Sequence, residues 1–265
     1  MKKFLVFLVA ISIQLCCFSL AFSASFEETK RASEQGDANA QMLLGSLYTI
    51  GKEVPQDFQQ ARLWYEKAAE QGVALAQLRL GIIYEVGLGV RQDYQQAKQW
   101  YEKAATQGNV FAQMSLGEMY AEGQGVRQDY QKARQWFEKA AAQGNSSAQF
   151  CLGRMYSNGE GVRQDYQKAR QWFEKAAAQD DADAQTVLGI MYYLGNGVRQ
   201  DYQKAKQWYE KAAVQGNSSA QFCLGLMYET GKGVRQDPAT AKEWYGKACD
   251  NGNQNGCDAY ARLNR

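Results

Sequence analysis

Six tryptophans recur along the chain at a constant interval of 36 residues. They are Trp64, Trp100, Trp136, Trp172, Trp208 and Trp244. A constant period between about 20 and 50 residues is typical of proteins in which one small supersecondary unit stacks on the next. The period therefore predicts one elongated array without an internal domain boundary. It also favours a protein that presents a binding surface, because repeat stacks expose long surfaces to partners.

Aligning the chain with itself gives six repeats and a partial unit at each end. The repeats are 37–72, 73–108, 109–144, 145–180, 181–216 and 217–252. Residues 24–36 resemble the second half of a repeat, whereas residues 253–265 resemble the first half. We expect an N-terminal half-helix cap and a C-terminal capping helix, which would cover the apolar ends of the stack.

Each repeat contains two predicted helices, which we name helix A and helix B. In the fourth repeat, helix A is predicted over 146–158 and helix B over 166–179. In the third repeat, Ala133, Trp136 and Phe137 share one face of helix B, opposite lysines and glutamines. We interpret the tryptophan row as core packing, with a row of rings that stack on a ligand as the alternative. The prediction is an all-α solenoid of antiparallel helix pairs.

The residues between the helices support these boundaries. An aspartate or asparagine precedes every helix A except the second, where Val73 stands, and such side chains cap the free amides of a first helical turn. Glycine ends each helix B in the left-handed conformation, except at Asp180. In the first repeat, Glu53 replaces the second glycine of the G-x-G turn that follows helix A, so we expect that turn to differ.

Residues 1–23 have the pattern of a secretory signal peptide. Two lysines precede an almost wholly apolar stretch over 4–13, and small residues stand where a signal peptidase reads the chain. We predict cleavage after Ser23 and a periplasmic or secreted protein. A retained membrane anchor is one alternative, because the apolar stretch approaches membrane-spanning length. Lipid attachment at Cys16 or Cys17 is disfavoured by the bulky residue before each.

Removal of the signal would leave a neutral chain. The chain has 30 basic and 28 acidic side chains, and two of the basic ones lie in the signal, which carries no acid. The remaining chain has no basic run. This balance disfavours nucleic acid as a partner, since nucleic-acid-binding proteins carry clustered positive charge.

Four cysteines would remain after cleavage, and export permits disulfides. Cys151 and Cys223 occupy the same place two repeats apart, which is farther than the roughly 7 Å between Cα atoms that a disulfide allows. We interpret both as small apolar core residues. Cys249 and Cys257 lie on either side of the last helix-to-helix turn, and we predict a disulfide between them.

Three motifs recur in the repeats. They are A-x-x-x-L-G-x-x-Y in helix A (Ala40, Leu44, Gly45, Tyr48), G-x-G-V in the turn (Gly87, Gly89, Val90) and A-x-x-W-[YF]-x-x-A-A in helix B (Ala61, Trp64, Tyr65, Ala68, Ala69). They resemble the Sel1-like repeat family, a branch of the tetratricopeptide-like solenoids, over about residues 37–252. The resemblance implies a right-handed superhelix with a concave groove. It also implies an adaptor or scaffold role in bacterial signalling, envelope function or host contact.

A cysteine-rich secreted branch of this family carries a disulfide from helix B to the next helix A in each repeat. Cys249 and Cys257 resemble one such pair, whereas five repeats here lack it. That branch has been linked to β-lactam binding or hydrolysis. An envelope protein that acts on β-lactams or peptidoglycan is therefore the alternative function.

The residues needed for common enzyme chemistry are missing. The chain has no histidine, which removes the commonest general base and zinc ligand. No serine is followed three residues later by lysine, as penicillin-recognising enzymes require. We therefore predict no catalytic residue, no cofactor and no metal site.

Helix A varies between repeats, whereas helix B is nearly identical in the central ones. We predict that a protein or peptide partner binds at two variable helix-A positions, which in this architecture should line the concave groove. The predicted residues are Ile82, Glu85, Glu118, Arg154, Ile190, Tyr193, Leu226 and Glu229. Variation on a merely solvated face is one alternative. A carbohydrate-binding module that presents aromatic rows is another.

Overall fold

The described residues of the computed structural model, 26–264, form 14 helices and no strand. The helices are α1 (Phe26–Glu34), α2 (Ala38–Ile50), α3 (Phe58–Glu70), α4 (Ala74–Val86), α5 (Tyr94–Thr106), α6 (Val110–Glu122), α7 (Tyr130–Ala142), α8 (Ser146–Asn158), α9 (Tyr166–Ala177), α10 (Ala182–Leu194), α11 (Tyr202–Val214), α12 (Ser218–Thr230), α13 (Pro238–Asp250) and α14 (Gln254–Arg262). The predicted all-α solenoid of helix pairs is confirmed. The predicted signal peptide, 1–23, lies outside the described residues.

The chain divides into two compact units, the first ending at Asp129 and the second beginning at Tyr130. In the first unit, consecutive helices from α1 to α6 pack on one another. In the second unit, consecutive helices from α7 to α14 do the same. Helices A of consecutive repeats also touch, as α4 touches α6 and α10 touches α12. Each unit therefore has a surface made of helices A alone.

We call this surface the helix-A face and describe it separately in each unit. In the first unit its exposed and half-buried residues are Ile50, Ile82, Glu85, Val86, Ser115, Glu118 and Glu122. In the second unit it comprises Arg154, Ser157, Ile190, Tyr193, Leu194, Leu226 and Glu229.

Side-chain caps begin the helices as predicted. The Asp37 carboxylate accepts a 2.7 Å hydrogen bond from the Ala40 amide, and Asp237 accepts from the first turn of α13. Val73 stands at the N-cap position of α4, and its side chain makes no capping hydrogen bond. Each of these bonds satisfies an amide that has no partner within its helix.

We expected the turn of the first repeat to differ, but its backbone conformation matches that of the second repeat. Glu53 adopts a φ of 69°, close to the 67° of Gly89 at the equivalent place. The shared turn therefore imposes the left-handed conformation even on a residue with a side chain. Asp180 likewise takes a φ of 61° where glycine stands in other repeats.

The core is built from large rings that lie against glycines. A Cβ atom added to Gly153 would lie 2.6 Å from the ring of Phe173, so only glycine lets α8 approach α9 this closely. Tyr65, Phe173 and Tyr245 are at most 1% exposed. Helix A and helix B of one repeat therefore interlock, because helix A has a glycine where helix B places a ring.

The tryptophans are half-buried, so their interpretation as core residues holds for one side of the ring only. Trp100 packs against the cluster that contains Tyr65 and Leu80. A lysine three residues later covers the ring, and the Lys103 Nζ atom lies 4.0 Å from the ring centroid of Trp100. Lys67 lies over Trp64 in the same way. A row of ligand-stacking rings would compete with these cation–π contacts.

A glutamine ladder also links the repeats. Gln77 is buried on α4 and donates to the Ala69 carbonyl at 3.1 Å, while its own carbonyl oxygen accepts from Gln107 at 2.8 Å. The pattern recurs at Gln185 and Gln215 in the second unit. Because buried amides must be satisfied, the ladder gives adjacent repeats a shared register. The sequence pattern did not predict it, since glutamine ordinarily indicates an exposed position.

Candidate functional site

The predicted partner-binding residues all lie on helices A. In the first unit, Ile82 and Glu85 are half-buried on α4, and Glu118 is half-buried on α6. In the second unit, Arg154 is exposed on α8 and Ile190 on α10, whereas the other three are half-buried. Those three are Tyr193, Leu226 and Glu229.

Glu85 and Glu118 form an acidic cluster with Glu122 in the first unit. Burial raises the pKa of Glu85, against the effect of a short hydrogen bond from the Tyr101 hydroxyl. Burial, with the negative charges of Glu85 and Glu122, raises the pKa of Glu118 to about 7. This surface therefore changes its charge near neutral pH, and a positively charged partner would stabilise the ionised form.

Glu229 is engaged inside the second unit. Its carboxylate accepts a 2.6 Å hydrogen bond from the Tyr245 hydroxyl and forms a 2.8 Å ion pair with Arg262 of α14. The burial of Tyr245 and this hydrogen bond raise the pKa of Tyr245. A residue predicted to bind a partner thus also attaches the C-terminal helix.

One of the two variable helix-A positions, which holds Thr49, Glu85, Tyr193 and Glu229, faces a buried ring of helix B. In the first repeat the Thr49 hydroxyl lies 3.0 Å from the Tyr65 hydroxyl, and in the second Glu85 accepts from Tyr101. In the fourth repeat the ring is Phe173, which has no hydroxyl. Some of the residue variation at this position therefore reflects whether the facing ring has a hydroxyl, and does not by itself indicate partner binding.

The second unit exposes apolar side chains on its helix-A face. Ile190 is 36% exposed and Leu194, one turn later on α10, is 56% exposed. Tyr193 instead packs edge-on against Tyr202, with ring centroids 5.1 Å apart, and Lys232 lies over its ring. Leu194 was missed by the sequence analysis, although its apolar character at a position held by Asn158 in the fourth repeat was a usable signal.

The cysteines fall into two groups. Cys249 on α13 and Cys257 on α14 form a disulfide with Cα atoms 4.5 Å apart. Cys151 and Cys223 are half-buried. Burial raises the pKa of the Cys223 thiol, and the Tyr209 hydroxyl forms a hydrogen bond to it. The thiol at Cys223 is therefore a poor nucleophile near neutral pH.

A shallow cleft recurs at the turns between helix A and helix B of the second unit. One of these clefts has a volume of about 710 Å³ and is lined by Tyr156, Arg163 and Lys168. A Cβ atom added to Gly161 in this turn would lie 2.6 Å from the Cβ atom of Tyr130, so the turn packs closely on the start of α7. Because similar residues line the cleft in successive repeats, it is a product of how the turn packs.

Residues 26–264 contain neither a candidate membrane-spanning helix nor a candidate metal site. No described helix is long and apolar enough to cross a membrane. No group of three or more cysteine, aspartate or glutamate side chains in this part of the chain has the geometry to hold a metal ion.

Comparison with known proteins identifies the repeat. The family model described as Sel1 repeat matches residues 38–73, 74–109, 110–145, 146–181, 182–217 and 218–253. None of the curated protein sequences compared with the chain matches it.

Two solved structures are similar over most of the chain. One is a protective antigen present in uropathogenic Escherichia coli strains, 38% identical with a TM-score of 0.74. The other is a repeat protein of the same family from Oxalobacter formigenes, 37% identical with a TM-score of 0.80. They cover 91% and 89% of this chain, which spans 59% of the first protein and 69% of the second.

Proposed function

Because this chain belongs to the Sel1 repeat family, we propose that it is an exported, non-enzymatic scaffold that binds a protein or peptide partner on its helix-A faces. Proteins of this family are generally protein-interaction scaffolds. Export depends on residues 1–23 acting as a signal peptide. N-terminal sequencing of the protein from the periplasm or the medium should then begin at Ala24.

The observation that carries the proposal is the pair of exposed apolar side chains on α10. Ile190 and Leu194 lie one turn apart on one face of the helix, and both side chains are exposed to solvent. Leu226 on the adjacent α12 is half-buried and extends the same apolar surface. Exposed apolar residues that cluster on one face of a soluble protein typically mark an interaction site.

The test replaces the exposed pair and leaves the packed residues intact. Ile190→Asp with Leu194→Asp should abolish capture of partners from an envelope extract, because two charges would have to be buried in the interface. Tyr193→Glu is less informative, since Tyr193 packs against Tyr202 and its loss would disturb the fold.

Val214→Asp is the matched control. Val214 is 86% exposed at the end of α11, in the same unit but on a helix B. Partners held by the wild type and by Val214→Asp, but lost from the double variant, would support the proposal. Equal capture by all three proteins would contradict it.

A further inference from the structure

A cleft lies at the turn between helix A and helix B in each of the last three repeats. The three clefts have volumes of about 710, 500 and 660 Å³. Each is lined by a tyrosine of helix A, by the Gly-Val-Arg-Gln-Asp sequence of the turn and by helix B of the preceding repeat. We call them the first, second and third turn cleft, and their turn arginines are Arg163, Arg199 and Arg235.

Cations outnumber carboxylates in the lining of every turn cleft. The first is lined by Arg134, Arg163 and Lys168, and by one carboxylate. The second repeats this set one repeat later, and the third has two cations and one carboxylate. Equivalent cations stand 36 residues apart in the chain, so they form no basic run. The second unit therefore carries a row of positive clefts that becomes visible only in the fold.

The carboxylate of each turn cleft is already engaged by the fold. In the first, Asp165 accepts 3.0 Å hydrogen bonds from the amides of Gln167 and Lys168, and the aspartates of the other two cap α11 and α13. The helix-B cations are also paired, as Arg134 is with Glu138 at 3.6 Å. The turn arginines, in contrast, are exposed, and within the described part of the chain none of the three forms a hydrogen bond or an ion pair. Each turn cleft therefore offers a guanidinium that no described carboxylate pairs with.

The cleft of the second repeat shows that the packing of the turn does not require this excess of positive charge. Its volume is about 550 Å³, and the charged residues of its lining are Arg91 and Asp93. Gln96 stands there in place of Lys168 and Lys204. A neutral cleft thus forms in the same way as a positive one. The excess charge is therefore a separate property of the turn clefts in the second unit.

The spacing of the turn clefts suits an extended peptide. Equivalent helices of adjacent repeats touch, as α10 and α12 do, and packed helices have axes about 10 Å apart. A peptide in the polyproline II conformation advances about 3.1 Å per residue and completes a turn in three residues. Every third side chain then points the same way at intervals of about 9 Å. Acidic side chains at every third position of such a peptide would reach successive turn clefts.

We propose that the turn clefts bind an acidic, extended segment of a partner protein, in which every third residue places a carboxylate on Arg163, Arg199 or Arg235. The inference rests on the proposed function in that the segment belongs to a protein partner, but the turn arginines are not residues of the helix-A face. A guanidinium presents donors in a planar fork that matches the two oxygens of a carboxylate. Lys168 and Lys204 add to the positive potential that attracts the segment.

The experiment titrates the purified, 15N-labelled protein with three synthetic nonapeptides at low salt and follows its backbone amides by NMR. The spaced peptide has glutamate at its second, fifth and eighth positions and serine elsewhere. The clustered peptide has the same composition with the three glutamates adjacent, and the neutral peptide has glutamine in place of each glutamate. The amides of 161–165, 197–201 and 233–237 should shift with the spaced peptide. The clustered peptide should bind about tenfold more weakly, because it reaches one cleft at a time, and the neutral peptide should cause no shift.

Two variants and a matched control locate the binding. Arg199→Gln should weaken binding of the spaced peptide about threefold, and the triple change Arg163→Gln, Arg199→Gln and Arg235→Gln should weaken it about thirtyfold. These side chains are exposed and unpaired, so the variants should keep their fold, which circular dichroism checks. Arg91→Gln removes the arginine at the same turn position from the neutral cleft of the first unit, and it should leave the titration unchanged.

Equal affinity for the spaced and clustered peptides would overturn the inference, as would the absence of any shift. So would a loss of affinity in Arg91→Gln as large as that in Arg199→Gln. An oligogalacturonate that shifts the same amides where the spaced peptide does not would assign the turn clefts to an acidic glycan and reject the peptide.

The proposed scaffold function fails or survives separately, because it is measured as partner capture through Ile190 and Leu194 of the helix-A face. Loss of the peptide response with retained partner capture would reject the turn clefts alone. Binding of the spaced peptide by the Ile190→Asp, Leu194→Asp variant, with the wild-type affinity, would show that the two surfaces act independently.

Discussion

The hydroxyl of Tyr245 donates a 2.6 Å hydrogen bond to the carboxylate of Glu229. The two residues lie 16 positions apart, on helices B and A of the last repeat. Their bond is continued by Arg262, so it ties the final repeat to the C-terminal helix.

Glu229→Ala should lower the free energy of unfolding by about 1–3 kcal/mol, because it leaves the buried Tyr245 hydroxyl and the Arg262 guanidinium without their acceptor. Urea denaturation measures the loss. In a Tyr245→Phe background the same change should cost less, since the hydroxyl that needs the acceptor is gone. Equal costs in both backgrounds would show that the hydrogen bond does not couple the two residues.

The stability of the first unit should depend on pH through Glu118. Its pKa of about 7 in the fold lies above the ordinary value of 4.5, so the folded state holds its proton more tightly than the unfolded chain. The stabilising contribution is complete below pH 4.5 and is lost as the pH rises through 7. The free energy of unfolding should fall by about 1–3 kcal/mol between pH 5 and pH 8.

Glu118→Gln should abolish most of this pH dependence, because glutamine fills the site without ionising. Urea denaturation at both pH values provides the comparison. Glu70→Gln, which replaces an exposed carboxylate on α3, is the control and should retain the wild-type profile. A Glu118→Gln profile as steep as the wild type would assign the effect to other groups.

Reduction of the Cys249–Cys257 disulfide should loosen α14. The bond closes a loop with a sequence separation of 8, and a cross-link of this loop size contributes about 2–3 kcal/mol in the chain-entropy model. Amide hydrogen exchange in α14 should accelerate on reduction, while exchange in α10 stays unchanged. The ion pair of Arg262 with Glu229 would keep the helix partly docked. Unchanged protection of α14 would mean that packing alone holds it.

Asp180→Gly should raise the free energy of unfolding by about 0.5–1 kcal/mol. Asp180 adopts a φ of 61°, where a side chain costs more than the extra chain entropy that glycine carries in the unfolded state. Thermal unfolding measures the gain. The reverse exchange at Gly144, whose φ is 86°, should lower stability. If both changes destabilise, the Asp180 side chain makes a contribution that outweighs its backbone strain.

The local features of this fold were predictable from the sequence. The predicted bounds of helix A in the fourth repeat coincide with α8, and its cap follows from one short polar residue, Asn145. Helix periodicity and capping depend on residues within a turn or two of each other, which is why a single repeat suffices to read them.

The candidate site was less predictable because it depends on contacts between helices. Glu85 and Glu229 were selected for their variation, but they accept hydrogen bonds from tyrosines 16 residues later. Leu194 was overlooked, since helical spacing alone does not say which apolar residue finds a neighbour. These partners become visible only once helix B is placed against helix A.

By itself, the sequence determined the period, the helix pairs and their ends, because each is set by interactions within one repeat. The tertiary structure alone decided which polar side chains are paired. It buries Gln77 in a ladder between repeats and leaves the Nε atom of the buried Arg79 without a hydrogen-bond partner, although both residues lie in the same helix. The physical reason is that the free-energy cost of burying a polar group depends on the hydrogen-bond partners that pack against it. Those partners come from another part of the chain.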